Sequence, residues 1–147
     1  MGVQIGPGPS GPLQVARKTL TFTGAAGLGL SGSAITFFTI TGTVNVSLIV
    51  GTCTGSLVSA GGGTLALGVT GATTLFIGAT TATTITTTAK TWASTTPNAT
   101  GIAAPAAIKD IIIAANILGT VGTADITGGS IEIECYYLPL LAGSGLA

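Results

Sequence analysis

Apolar and polar residues alternate along several short segments of the chain. In residues 18–23, Leu20 and Phe22 fall on one side of an extended strand and threonines fall on the other. Residues 130–138 divide in the same way, with one side formed by Ile131, Ile133, Cys135 and Tyr137 and the other by Glu132, Glu134 and Tyr136. A period of two residues is typical of a β-strand with one buried face, so both segments are predicted to be strands.

Other segments are rich in β-branched and aromatic residues and are separated by glycine-rich turns. They predict strands at residues 34–41, 43–53, 56–59, 64–69, 73–77 and 117–123. Within the second of these, Val44, Val46, Leu48 and Val50 are expected to point inward. Trp92, the single tryptophan, is expected to fill the core near one end of a sheet.

Two segments leave alternatives open. Residues 80–91 consist mainly of small and hydroxyl-bearing residues and fit either an edge strand or a long loop. Residues 105–113 could form a short helix, but the β-branched run favours a strand at 110–114. The whole pattern predicts an all-β protein: a β-sandwich or jelly-roll-like domain of about eight or nine antiparallel strands. The tail from Pro139 is rich in glycine and is expected to be loose.

The first 16 residues differ from the rest of the chain. Their repeated prolines and glycines disfavour both helix and paired strand, so they predict an extended N-terminal arm, residues 1–16, ahead of a β-sandwich domain, residues 17–147. Such an arm is either a disordered tail or a segment that lies on a neighbouring subunit. In the second case, the candidate anchors are its apolar residues, Val3, Ile5, Leu13 and Val15.

Charge is scarce. Lys plus Arg and Asp plus Glu each number 4, the net charge is zero, and charged residues are 5% of the chain, whereas about 25% is usual in soluble domains. A neutral surface of hydroxyl and small apolar groups can be covered by another protein without desolvating many charges. The composition therefore favours self-association or docking on a larger assembly.

Nucleic acid and membrane are not expected as partners. Phosphate binding uses clustered basic residues, and here only Arg17 and Lys18 are adjacent. The mean hydropathy is +0.77, but glycine and threonine interrupt each apolar run, and the longest candidate, residues 102–118, contains Pro105 and charged residues.

The residues of common catalytic sites are missing from the sequence. It contains no histidine, which excludes Ser-His-Asp and Cys-His arrangements, and its acidic residues and two cysteines are too scattered to predict a metal site. We therefore expect no enzyme activity and no cofactor. Glu132 and Glu134 could in principle form a carboxylate pair, but their place on one strand face favours, together with Tyr136, an interface. Cys53 and Cys135 could pair, although two buried free thiols are favoured.

Three stretches of the chain resemble small virion proteins of tailed bacteriophages. They are KTLTFTGAAGLGLSGSAITFFTITGTVNV near the start, TLALGVTGATTLFIGATTATTI in the middle and SIEIECYYLPLLAGSG at the end. The resemblance is one of strand order, turns and low charge. It covers about residues 17 to 145 and does not include the arm.

This resemblance implies a head decoration, or cement, protein. Such a protein forms a small oligomer, with a homotrimer favoured over a dimer, and binds the major capsid protein on the outer surface of the shell. Its place would be the virion surface, after synthesis in the host cytoplasm. Two alternatives remain at this point: a tail or baseplate component, and a carbohydrate-binding or adhesion module whose only candidate aromatic contacts are Trp92, Tyr136 and Tyr137.

Overall fold

Short and long strands make up most of the chain from residue 12 to residue 147, which is the part described by the computed structural model. The strands are β1 (Gln14–Thr21), β2 (Ala34–Phe38), β3 (Ile40–Thr41), β4 (Val44–Val58), β5 (Thr64–Val69), β6 (Ala72–Thr81), β7 (Thr91–Trp92), β8 (Ile111–Ile113), β9 (Ile117–Gly122), β10 (Gly128–Pro139) and β11 (Gly145–Leu146). Two single 3₁₀ turns, Ala82–Thr84 and Ala106–Ile108, are the helical elements of this part.

These strands form two main antiparallel sheets. The large sheet has five strands, in the order β1-β10-β4-β7, and β8 pairs with another stretch of β4. The small sheet has four strands, in the order β2-β9-β5-β6, and β3 pairs separately with β11. A single sheet cannot bury its own apolar face. Here the two sheets turn one face toward each other and bury those faces in a common core.

The core consists of inward-facing residues from both sheets. The large sheet contributes Leu20, Val44, Val46, Ile49, Leu57, Trp92, Ile113, Ile131, Ile133, Cys135 and Tyr137, and the small sheet contributes Ile35, Phe37, Phe38, Leu65, Leu67, Val69, Phe76, Ile77, Ile117 and Val121. All are buried in a single cluster. The predicted all-β, sandwich-like fold is therefore confirmed, with more strands than expected because several contain only two or three residues.

The alternation predicted for β10 is confirmed, whereas the alternation predicted for β4 is wrong at Leu48 and Val50. Tyr137 pairs with Val46 but Tyr136 pairs with Leu48, so Ser47 is an extra residue in β4. A bulge of this kind exchanges the two faces of a strand. Consequently Ile49 faces the core, and Leu48 and Val50, which were predicted to point inward, lie on the outer side.

Several predicted boundaries also change. The strand expected at 34–41 is divided into β2 and β3, and the strands expected at 43–53 and 56–59 are one continuous strand, β4. The segment at 80–91 is mainly loop after β6 ends, and the strand favoured at 110–114 is present as β8. The tail was expected to be loose, but its end forms β11, and Thr39 and Ala147 exchange backbone hydrogen bonds of 2.7 and 3.0 Å.

The predicted boundary between arm and domain also moves. Of the four candidate anchors of the arm, Val3 and Ile5 lie outside the described residues. Strand β1 begins at Gln14, and Gln14 and Val15 pair with Tyr137 and Tyr136 of β10. The last three residues assigned to the arm therefore belong to the domain, because their backbone pairs in the large sheet.

The two cysteines are buried free thiols. Cys53 pairs with Ile131 and Cys135 pairs with Ile49, so the cysteines lie four positions apart along the same ladder. Four positions correspond to roughly 13 Å along a strand, whereas a disulfide needs Cα atoms within about 7 Å. The favoured expectation of unpaired thiols is confirmed.

We predict that neither cysteine reacts with iodoacetamide at pH 8 while the domain is folded. Burial raises the pKa of the Cys135 thiol to about 12, and burial also raises the pKa of Cys53. The reactive thiolate is therefore disfavoured at both positions. Intact-mass measurement should show an unmodified folded chain and a doubly alkylated chain in urea. Rapid alkylation of Cys135 without urea would contradict the packing described above.

Candidate docking face

The outer face of the large sheet brings together residues from both sets of predicted contact residues. Antiparallel pairing places Val15 opposite Tyr136, Arg17 opposite Glu134, and Thr19 opposite Glu132. Directly opposed residues of a sheet share a face, so β1 supplies one column of this surface and β10 the next. The predicted arm anchor Val15 thus lies beside the predicted interface residues.

A charged cluster occupies the middle of this face. Glu134 accepts hydrogen bonds from Arg17 Nε through one carboxylate oxygen and from Tyr136 Oη through the other. These bonds, first that of Tyr136 and then that of Arg17, hold the pKa of the Glu134 carboxyl below its ordinary value. In turn, the Glu134 hydrogen bond raises the pKa of Arg17 and that of Tyr136.

The cluster is thus a satisfied ion pair and not a proton donor. Because its pKa is lowered, the Glu134 carboxyl is ionised at neutral pH, so it is poorly suited to general acid catalysis there. Its contribution to stability is present above the ordinary pKa of a glutamate and is lost as the pH falls through the lowered value. Since the cluster is exposed, that contribution is small.

Hydroxyl groups form one end of the face, beyond the charged cluster. Thr19 Oγ1 donates to Glu132 Oε2 at 3.3 Å, and the hydroxyls of Thr54 and Ser130 are 2.7 Å apart. Thr52 pairs with Glu132 on one side and with Thr91 on the other. We call this region the hydroxyl end, defined by Thr19, Thr21, Thr52, Thr54, Thr91 and Ser130.

Apolar side chains form the opposite end. Pairing aligns Leu138, Asn45 and Ile112 in one row across β10, β4 and β8, and Tyr136 lies beside Leu48 in the next row. We call this region the apolar end, defined by Leu13, Val15, Leu48, Ile112, Tyr136 and Leu138. Its most exposed members are Ile112, Leu13 and Val15, at 65%, 58% and 42%.

Lysine protects the edge of the large sheet next to this face. Among the described residues, β1 pairs with β10 on one side and with no strand on the other. Lys18 points toward the opening between the two sheets, and its Nζ donates to the carbonyl oxygen of Thr36 in β2 at 3.0 Å. A lysine on an edge strand discourages further strand pairing, so the face of this sheet is better suited to docking than its edge.

Each predicted contact residue within the described part of the chain can now be placed. Leu13 and Val15 are exposed, and Glu132, Glu134 and Tyr136 are half-buried on one face, as the alternation predicted. The structure adds residues that the sequence did not indicate, namely Arg17, Leu48, Ile112 and Leu138. Arg17 and Glu134 are 117 positions apart, and no local pattern reports such a pairing.

The described part of this face contains no cluster of metal-binding side chains. Between residues 12 and 147, no group of three or more histidine, cysteine, aspartate or glutamate side chains is placed to hold a metal ion. Glu132 and Glu134 share the face, but Glu134 is held by Arg17 and Tyr136. In the same part of the chain, no helix is long and apolar enough to span a membrane.

Comparison with protein-family models, curated proteins and solved structures finds no match to this chain. Its function is therefore inferred from its own residues.

Proposed function

We propose that this chain is a structural protein of a tailed-phage virion that binds the outer surface of the capsid as a small oligomer and stabilises the shell. The outer face of the large sheet is the contact surface in this assembly. The observation that carries the proposal is the composition of that face: its hydroxyl end, its apolar end and the satisfied cluster of Arg17, Glu134 and Tyr136 between them. The kind of partner is taken from the resemblance of about residues 17 to 145 to small virion proteins of tailed bacteriophages, which implies a decoration protein.

The energetics suit such a role. A protein that binds an assembled shell, but not its separated subunits, stabilises the shell by mass action. An oligomer presents several copies of the same face, so weak binding by each copy is multiplied. Covering the face desolvates few charges, because its charged residues are Arg17, Glu132 and Glu134, and Arg17 and Glu134 already pair with each other.

Packing disfavours the carbohydrate-binding alternative. A sugar site usually stacks its ligand on exposed aromatic rings. Trp92 and Tyr137 are buried, and the hydroxyl of Tyr136 is bonded to Glu134. Tyr136 is thus the one candidate aromatic that lies on the outer face, and it is part of a mixed surface better suited to protein contact.

Co-sedimentation tests the proposed function. Heads are prepared from the encoding phage with this gene deleted, mixed with the purified full chain and pelleted. We expect the chain to pellet with heads until the sites are saturated, and the decorated heads to resist heating better than bare heads. Purified tails are the matched comparison: binding to tails alone would favour the tail or baseplate alternative, and binding to neither would contradict a virion role.

A further inference from the structure

The apolar end of the docking face is uncovered in the described part of the chain. Ile112, Leu13 and Val15 are 65%, 58% and 42% exposed. Pairing places Val15 beside Tyr136 and places Ile112 in one row with Leu138, and Leu13 lies two residues before Val15. Contiguous exposed apolar groups on one face of a rigid sheet mark a contact site more often than scattered ones do. What covers them should itself be apolar and uncharged.

A segment of this chemistry comes directly before the described residues in the sequence. Residues 1–11, MGVQIGPGPSG, contain no charged residue, and their large apolar residues are Met1, Val3 and Ile5. The described chain begins at Pro12, next to Leu13 and the start of β1. Covering the apolar end with this segment would bury apolar groups and desolvate no charge.

The direction of β1 favours the face of a second copy over the face of the same copy. Gln14, the first residue of β1, pairs with Tyr137 near the end of β10, so β1 begins at the apolar end of the large sheet. A segment that continued in the direction of β1 would pass beyond this end of the sheet, and it could lie on its own face only after a reversal near Pro12. Pro7, Pro9 and Pro12 favour an extended course instead, because each fixes its own φ and restrains the residue before it.

The segment is long enough for this contact. Eleven extended residues reach at most about 36 Å. Adjacent strands are about 4.8 Å apart, so the distance across β1, β10, β4 and β8 is roughly 14 Å. A segment of this length is therefore long enough to span the apolar end of one sheet from β1 to β8.

We propose that residues 1–11 of one copy lie across the apolar end of the large sheet of a second copy, with Val3 and Ile5 as the anchoring side chains. This contact links the subunits of the oligomer and leaves the charged cluster and the hydroxyl end for the shell. It deepens the proposed function, on which it rests for the existence of an oligomer.

Cross-linking tests the contact without any phage head. The variant Ile5→Cys/Ile112→Cys of the full chain is treated with a short bis-maleimide, and Cys53 and Cys135 are shielded by burial. We expect covalent dimers and larger species. The matched control is Ile5→Cys/Thr74→Cys, because Thr74 is exposed on β6 of the small sheet, and it should stay monomeric. Bridging within a single chain, or no bridging, would overturn the proposal.

Sedimentation equilibrium measures the strength of the same contact. Val3→Ser/Ile5→Ser should raise the dissociation constant of the oligomer at least about tenfold, since it removes two apolar anchors. Gln4→Ser changes a polar residue in the same segment and should leave that constant unchanged. If the double variant associates like the unmodified chain, the anchors are not Val3 and Ile5. Head binding by that variant would then leave the proposed function standing while this contact fails.

Discussion

Replacing Trp92 with alanine is expected to lower the free energy of unfolding by about 3–5 kcal/mol, the usual range for removing a large aromatic side chain from a core. Trp92 belongs to β7 of the large sheet and is completely buried. Its Nε1 donates to Thr80 Oγ1 of β6 at 2.9 Å, and Thr80 Oγ1 donates to the carbonyl oxygen of Gly78 at 3.0 Å. One side chain thus fills the core and joins the two sheets.

Gly51 makes room for this side chain. Gly51 lies in β4 and pairs with Trp92 of β7. A Cβ atom at position 51 would lie 2.8 Å from Trp92 Cε3. The alanine variant therefore leaves a cavity above a residue that has no side chain to fill it. A loss of this size is a large share of the roughly 5–15 kcal/mol that stabilises a typical domain.

Urea denaturation followed by far-ultraviolet circular dichroism measures the effect, because the variant lacks the tryptophan whose fluorescence would otherwise report unfolding. Trp92→Phe is the matched control. It keeps most of the ring volume and loses the hydrogen bond to Thr80, so it should cost about 1–3 kcal/mol. An alanine variant that loses less than the phenylalanine variant would contradict the role given to Trp92.

Gly129→Ala is expected to have the second largest effect, about 2–5 kcal/mol, from backbone strain and overpacking together. Gly129 has φ +94°, and a Cβ atom there would lie 2.4 Å from the carbonyl oxygen of Ser56 and 2.7 Å from Leu57 Cα. Both of those atoms belong to the backbone of β4, which cannot move aside without disturbing the large sheet.

Gly62→Ala separates the two causes. Gly62 also has a positive φ, +71°, but no atom lies within 4 Å of the position that a Cβ atom would occupy there. Strain alone should therefore cost roughly 1–2 kcal/mol at this site. Thermal or urea unfolding of the two variants compares the effects directly, and equal losses would mean that the close approach of β4 to Gly129 contributes nothing.

Local alternation predicted the parts of the fold that depend on neighbouring residues. The two sides of β10 follow from residues 130–138 alone, because an unbroken strand alternates with period two. For β4, the sequence predicted which side chains face inward only as far as Val46. Its bulge at Ser47 is defined by pairing with Tyr136 and Tyr137, which are distant in sequence. The position of Leu48 and Val50 on the outer side of the sheet therefore has no local signal.

The candidate site also combines features that a single strand predicts with features that depend on the pairing of distant segments. The shared face of Glu132, Glu134 and Tyr136 was predictable, since all three lie on one strand. Their contacts with Arg17 and Thr19 were not, because these depend on β1 pairing with β10 across the length of the chain. Likewise, Ile112 joins the apolar end through pairing of β8 with Asn45, a connection between two separate regions of sequence.

If the outer face of the large sheet meets the capsid, one added positive charge on that face should be enough to weaken binding. Thr52 is exposed in the middle of the hydroxyl end, and Thr74 is exposed on the small sheet. Binding of Thr52→Arg and Thr74→Arg to undecorated heads is measured by co-sedimentation, after circular dichroism has confirmed that both variants are folded. We expect at least about tenfold weaker binding for Thr52→Arg, because its long side chain and its charge must be covered by the shell even where the guanidinium pairs with Glu132 on the facing strand, and unchanged binding for Thr74→Arg. Normal binding by Thr52→Arg together with loss of binding by Thr74→Arg would show that the capsid meets a different face of the protein.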